Sequence, residues 1–190
     1  MRLLGAAKDL NTPAKSAKLR HRVMQSIEPP DAHFLSAAVG WLQLGNLVEA
    51  KAELGQISPA LATHGDVLEV KLLIQIEEKN WATSLQTARS LIETQPDRAL
   101  GWLHQAYALR RLPEGGLQAA WDALLPAAER FPKEPILPYN LSCYACQLGK
   151  LDEARQLLRR AFQIGDKHRM KTMAQADADL QPLWPEIKEW

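Results

Sequence analysis

The chain has 190 residues, 46% of them apolar, and its 23 Lys/Arg against 22 Asp/Glu leave a net charge of +1. Balanced charge provides no overall basic field to hold a phosphate backbone, so nucleic acid is not an expected partner. No apolar run approaches the ~18–20 residues of a membrane helix, the short apolar patch in MRLLGAAKDL is no secretory signal, and two cysteines without a disulfide framework suit a reducing compartment, the cytoplasm.

Residues 1–30 read as a basic leader, six Lys/Arg standing against Asp9 and Glu28. Ala17, Leu19, Val23 and Ile27 recur near helical spacing. The leader is therefore either loosely ordered or a basic helix over Lys15–Ile27 that packs on the next element or meets an acidic partner. Pro29-Pro30 stops any helix and restarts the chain. A helical hairpin follows over Asp31–His64, with Phe34, Ala38, Trp41 and Leu44 on the inner face of its first arm. Leu47, Ala50, Leu54 and Ile57 line its second arm. The next, Gly65–Arg98, turns at Lys79-Asn80-Trp81. The third, Ala99–Glu134, carries Trp102, Ala106, Leu109 and Leu112, then Leu117, Ala120, Leu124 and Ala127. The fourth, Pro135–His168, carries Leu141, Tyr144, Ala145 and Leu148, then Ala154, Leu157, Leu158 and Ala161.

Three of these units span 34 residues and the third 36, because its turn at Pro113-Glu114-Gly115-Gly116 is longer. A lone hairpin cannot bury both apolar stripes, so such units must stack on one another. Gly45 and Gly149 suit a left-handed helix end, and Asn46 with Glu49 has capping-box spacing. Pro126 falls inside the second arm of unit three and predicts a kink. After His168 the pattern fades: Lys167–Ala174 extends as a helix and Asp177–Leu180 turns. Leu180, Leu183, Trp184 and Ile187 then form an apolar set suited to capping the last hairpin, with Trp190 exposed at the end.

Tiled in this way, the chain resembles tetratricopeptide-repeat (TPR) proteins, whose pattern places an aromatic, a small residue and Leu-Gly in the first helix, then Ala and a closing Pro. Phe34 and Trp102 meet the aromatic place, whereas Leu68 and Pro138 depart from it. Ala38, Ala106 and Ser142 meet the small place and Leu72 does not. Ala50, Ala120 and Ala154 meet the second-helix alanine, with Ser84 a close substitute, and proline closes units two and three only. YNLSCYACQLG with a DADLQPLW tail is also similar to small bacterial TPR proteins. The resemblance implies an all-α, right-handed α-solenoid of about four TPR hairpins with a C-terminal capping helix.

It also implies a protein or peptide partner held on the concave side lined by the first helices. On that face the register places Leu35, Val39, Glu69, Leu73, Leu103, Tyr107, Arg110, Arg111, Tyr139, Asn140 and Cys143. Apolar and aromatic groups would supply affinity, and Arg110 and Arg111 would grip a carboxylate. The alternatives are packing roles for Tyr107 and Tyr139, a Glu77–Arg111 ion pair, and an Asn140 bonded within its own helix. Ala32–Val39 lacks the Lys and Asn that the carboxylate clamp of heat-shock co-chaperones requires. A second functional reading is a self-associating, chaperone-like module similar to bacterial secretion chaperones, working as a homodimer. A tail lying over the Tyr107/Tyr139 wall would close the groove.

No catalytic, cofactor or metal constellation is legible. Cys143 and Cys146 form a CxxC in mid-helix, where no helix start activates a thiol, and zinc requires about four ligands. The five histidines are scattered. Gly115-Gly116 follows a helix rather than the strand of a phosphate cradle.

Overall fold

The computed structural model describes residues 26–190. The leader as far as Gln25, including most of its predicted helix, lies outside the described residues. From Asp31 onward the chain is a run of helices, with no strand among the described residues: α1 (Asp31–Gln43), α2 (Leu47–Leu54), a 3₁₀ turn (Pro59–Leu61), α3 (Gly65–Glu77), α4 (Trp81–Thr94), α5 (Ala99–Leu109), α6 (Leu117–Arg130), α7 (Ile136–Gln147), α8 (Leu151–Ile164), α9 (Lys167–Ala176), a 3₁₀ segment (Ala178–Leu183) and α10 (Trp184–Glu189). Each helix packs on its neighbour in sequence, and α1 also touches α3. The chain is thus a row of antiparallel hairpins.

Backbone chemistry explains the reversals. Gly45 and Gly149 sit at φ 74° and 77°, the left-handed conformation that lets a helix end and turn back. Lys79 holds the same place between α3 and α4 at φ 57°, so its Cβ carries a strain that glycine avoids. Lys79→Gly is expected to stabilise the protein by roughly 0.5–1 kcal/mol, read as a raised urea midpoint at unchanged slope. Asn46 and Asn80 cap α2 and α4, accepting from the Glu49 and Thr83 amides.

The core thickens toward the C-terminus. Around α1–α3 it is small, built on Ala38, Ala50, Val70 and Ile74. From α5 onward one continuous cluster joins Trp121, Leu124, Leu137, Leu141, Tyr144 and Leu158 to the tail residues Leu180, Leu183 and Ile187. Those three tail side chains are fully buried, because the outer side of the last hairpin has no further repeat to cover it.

Two expectations change. Trp41 and Leu44 are not packed: they are 36% and 76% exposed, since no helix among the described residues precedes α1. Pro126 stays within α6, which runs through it, and is exposed. Trp190 is half-buried, its ring edge-on to Phe162 at 6.1 Å with the Arg159 guanidinium above it.

Candidate functional site

The first helices of the hairpins, α1, α3, α5 and α7, supply the expected wall, with Arg110 and Arg111 just past the end of α5, but the structure divides that wall in two. At its N-terminal part, half-buried Leu35 and Val39 line a hollow of about 590 Å³ together with Ile27, Ala32, Ser36, His64 and Asp66. Further along the same two helices, Leu42, Leu73 and Glu77 line a second hollow of about 280 Å³ with Gly45 and Leu47. Two acids here are engaged: Arg98, from the turn before α5, donates to Asp66 and Glu69, each at 2.5 Å. Spacing by three puts both carboxylates on one face of α3, within reach of one guanidinium fork.

In the middle, Tyr107 is a packing residue. Its ring meets Trp81 edge-on at 5.8 Å, and the Arg111 guanidinium lies 3.4 Å from its centroid while donating to the Tyr107 carbonyl at 3.0 Å. Arg111 is thereby committed to an aromatic stack, and no ion pair joins it to Glu77 among the described residues. Leu103 packs, half-buried, against the C-terminal core.

The C-terminal part is closed by the chain itself. Arg110 forms a two-pronged pair with Asp179 of the tail, Nη2 lying 2.7 Å from Oδ1 and Nη1 meeting Oδ2. The Tyr139 hydroxyl donates to Asp177 at 3.0 Å, the Cys143 thiol reaches the same oxygen at 3.5 Å, and Gln147 donates to the Asp179 carbonyl. Tyr139 and Cys143 are 4% and 2% exposed. They are covered residues, not an open wall. Asn140 donates to the Ile136 carbonyl one turn back. The carboxylate that Arg110 was expected to grip is real, but it belongs to this chain.

The electrostatics of this corner follows from its closure. Burial, followed by the negative charge of Asp177, pushes the Cys143 thiol well above its ordinary range, and burial raises Cys146 as well. Tyr139 is likewise pushed up, by burial first and then by Cys143 and Asp177. Protonated, buried thiols are poor nucleophiles and poor metal ligands. Ligand atoms of Cys143, Asp177 and Asp179 lie within 4.8 Å of one another, but Arg110 and Tyr139 already occupy these carboxylates. The CxxC spacing is therefore explained by packing beneath the tail.

One feature escaped the sequence reading. A cavity of about 410 Å³ opens between α2, α3 and the start of α4, lined by Leu54, Ile57, Val67 and Ile74 and edged by the Lys51–Glu78 pair. Its signal was the length of α2, 8 residues against 14 in α4, α6 and α8. The absent turns leave the space.

No protein-family model matches the chain, and no curated protein does. Solved structures do. A thermophilic TPR protein of Thermus thermophilus superposes with a TM-score of 0.65 at 18% identity, covering 83% of this chain and 82% of that one. A MamA protein gives 0.63 at 14% identity over 84% and 86%. A second MamA structure, from AMB-1, gives 0.56 at 16% identity over 83% and 95%. At such identities the likeness speaks for architecture alone, and it agrees with the hairpins read from the residues: the chain has the tetratricopeptide-repeat fold.

Proposed function

We propose that the protein is a non-catalytic interaction scaffold that takes a short peptide or protein segment against the N-terminal part of its first-helix wall. Residues 31–168 are the scaffold, in four units (31–64, 65–98, 99–134 and 135–168), and residues 169–190 are its cap. One observation carries the reading: among the described residues the two successive hollows beside Leu35, Val39, Leu42 and Leu73 are open and combine aliphatic side chains with polar and acidic ones, whereas the tail fills the Tyr139 end. Spaced recesses with acids at the rim suit the alternate side chains of an extended segment or one face of a helix. Self-association would use a different surface, the open end of the row rather than its wall. Among the described residues no helix is long and apolar enough to cross a membrane.

The test is selection of peptides from a random display library on the immobilised full chain. Selected peptides are expected to bind a Val39→Ala/Leu73→Ala variant at least about tenfold more weakly, since two truncated anchors remove upward of about 1.4 kcal/mol. They should bind a Leu125→Glu variant, altered at an exposed site on α6, as tightly as the parent. Equal affinity for all three proteins would place the site elsewhere.

A further inference from the structure

The two ends of the hairpin row differ. At the C-terminal end, α9, the 3₁₀ segment and α10 seal the last hairpin: Leu180, Leu183 and Ile187 are fully buried, and the Trp184 indole donates to the Ala174 and Asp177 carbonyls. At the N-terminal end the described residues show no such closure. Trp41 and Leu44 occupy, by register, the places that Leu109 and Leu112 hold in the third hairpin and Ala145 and Leu148 hold in the fourth. There Leu109, Ala145 and Leu148 pack into the core and Leu112 is half-buried; on α1 the equivalent residues are 36% and 76% exposed. Val48, one turn on, is 76% exposed, where the later second helices carry Ala82, Gln118 and Asp152, all of them outward. A large aliphatic residue therefore stands exposed at a place that is small or polar in every other hairpin, four residues beyond Leu44.

We infer that this end face, Trp41, Leu44 and Val48, docks on the same face of a second copy of the chain. Two observations select that occupant. First, the three exposed side chains, Trp41, Leu44 and Val48, are all uncharged. A two-fold contact sets like against like, which a charged face would oppose and an uncharged apolar face favours. Second, the opposite end is sealed, so head-to-tail stacking of one copy on another has no acceptor and the only closed arrangement is open end to open end. With a net charge of +1, long-range repulsion between copies is negligible. Three large side chains fall short of the roughly 800 Å² per partner of a tight interface, so the dimer is expected at micromolar rather than nanomolar strength.

Sedimentation velocity of the full chain from about 1 to 300 µM, concentrations bracketing micromolar affinity, tests this. The expected result is a monomer–dimer equilibrium whose dissociation constant rises at least about tenfold in a Leu44→Glu/Val48→Glu variant, because two-fold symmetry brings the new carboxylates together. Both positions are exposed, so circular dichroism and melting temperature should match the parent. The Leu125→Glu variant should dimerise as the parent does. A full chain that is monomeric at every concentration would overturn the inference and leave the face to residues 1–25 or to another protein. So would a dimer that the Leu44/Val48 variant keeps, or one that Leu125→Glu disrupts equally.

Discussion

A chain ending at Ala176 is expected to lose most of its folding stability. The removed segment carries Leu180, Leu183 and Ile187, all fully buried, each worth about 1.5–3 kcal/mol of burial. Together that is roughly 5–9 kcal/mol, set against a total of about 5–15 kcal/mol for a typical domain. Truncation also leaves Arg110 without Asp179, and Tyr139 and Cys143 without the acid that caps them. At about 2–4 °C per kcal/mol for a chain of this length, the melting temperature should fall by more than about 10 °C. Near-ultraviolet circular dichroism from the buried Tyr139 and Tyr144 should collapse at the same time. Leu183→Ala offers a graded version costing about 2–5 kcal/mol, transfer and cavity together. A truncated chain that melts within a few degrees of the parent would show that the tail is an appendage rather than part of the core.

The second large effect is acid sensitivity centred on His104. Burial on α5 pushes this imidazole from its ordinary value of 6.5 down to about 4; its ring stands edge-on to Tyr107, and its Nδ1 is buried with no donor in reach among the described residues. The folded chain thus keeps His104 neutral over a range in which the unfolded chain protonates it. Stability from this group is complete above about pH 6.5, declines as the pH falls toward 4, and levels off below that. The full interval of about 2.5 pH units corresponds to roughly 3–3.5 kcal/mol at about 1.36 kcal/mol per unit, of which about 2–3 kcal/mol is lost by pH 4.5. Carboxylates also titrate in acid, so the informative quantity is the difference between the parent and His104→Leu. The parent should lose about 2–3 kcal/mol more than the variant between about pH 7.5 and 4.5 in urea unfolding. Parallel losses would mean that the imidazole is solvated.

The tail also bears on function, through the division of the wall. It makes the Tyr139 end part of the core, so the proposed segment-binding site is confined to the stretch from Leu35 to Leu73. Opening the closed end would require withdrawing three buried aliphatic side chains, an energy of the order of the whole fold's stability. Tail release is therefore no ready route to a longer groove.

Sequence alone determined the hairpins, because helical periodicity and turn chemistry are local. The apolar stripes of α7 and α8, Gly45 and Gly149 at the reversals, and Asn46 at its cap act within one or two turns of chain. Even Lys79 was placed at a turn by the stripes around it, although its left-handed backbone was not legible from a lysine. The apolar set at Leu180, Leu183 and Ile187 announced a cap for the same reason. Tertiary structure decided the rest, because burial depends on which neighbour is present rather than on register. Identical register places gave a packed Leu148 and an exposed Leu44, according to whether a hairpin among the described residues precedes them. Arg110 read as a groove cation, and only the fold brought Asp179 to it across 69 residues. Tyr139 and Cys143 lie on the face that register assigned, yet they are interior residues, because a tail whose path no periodicity encodes returns to lie upon them.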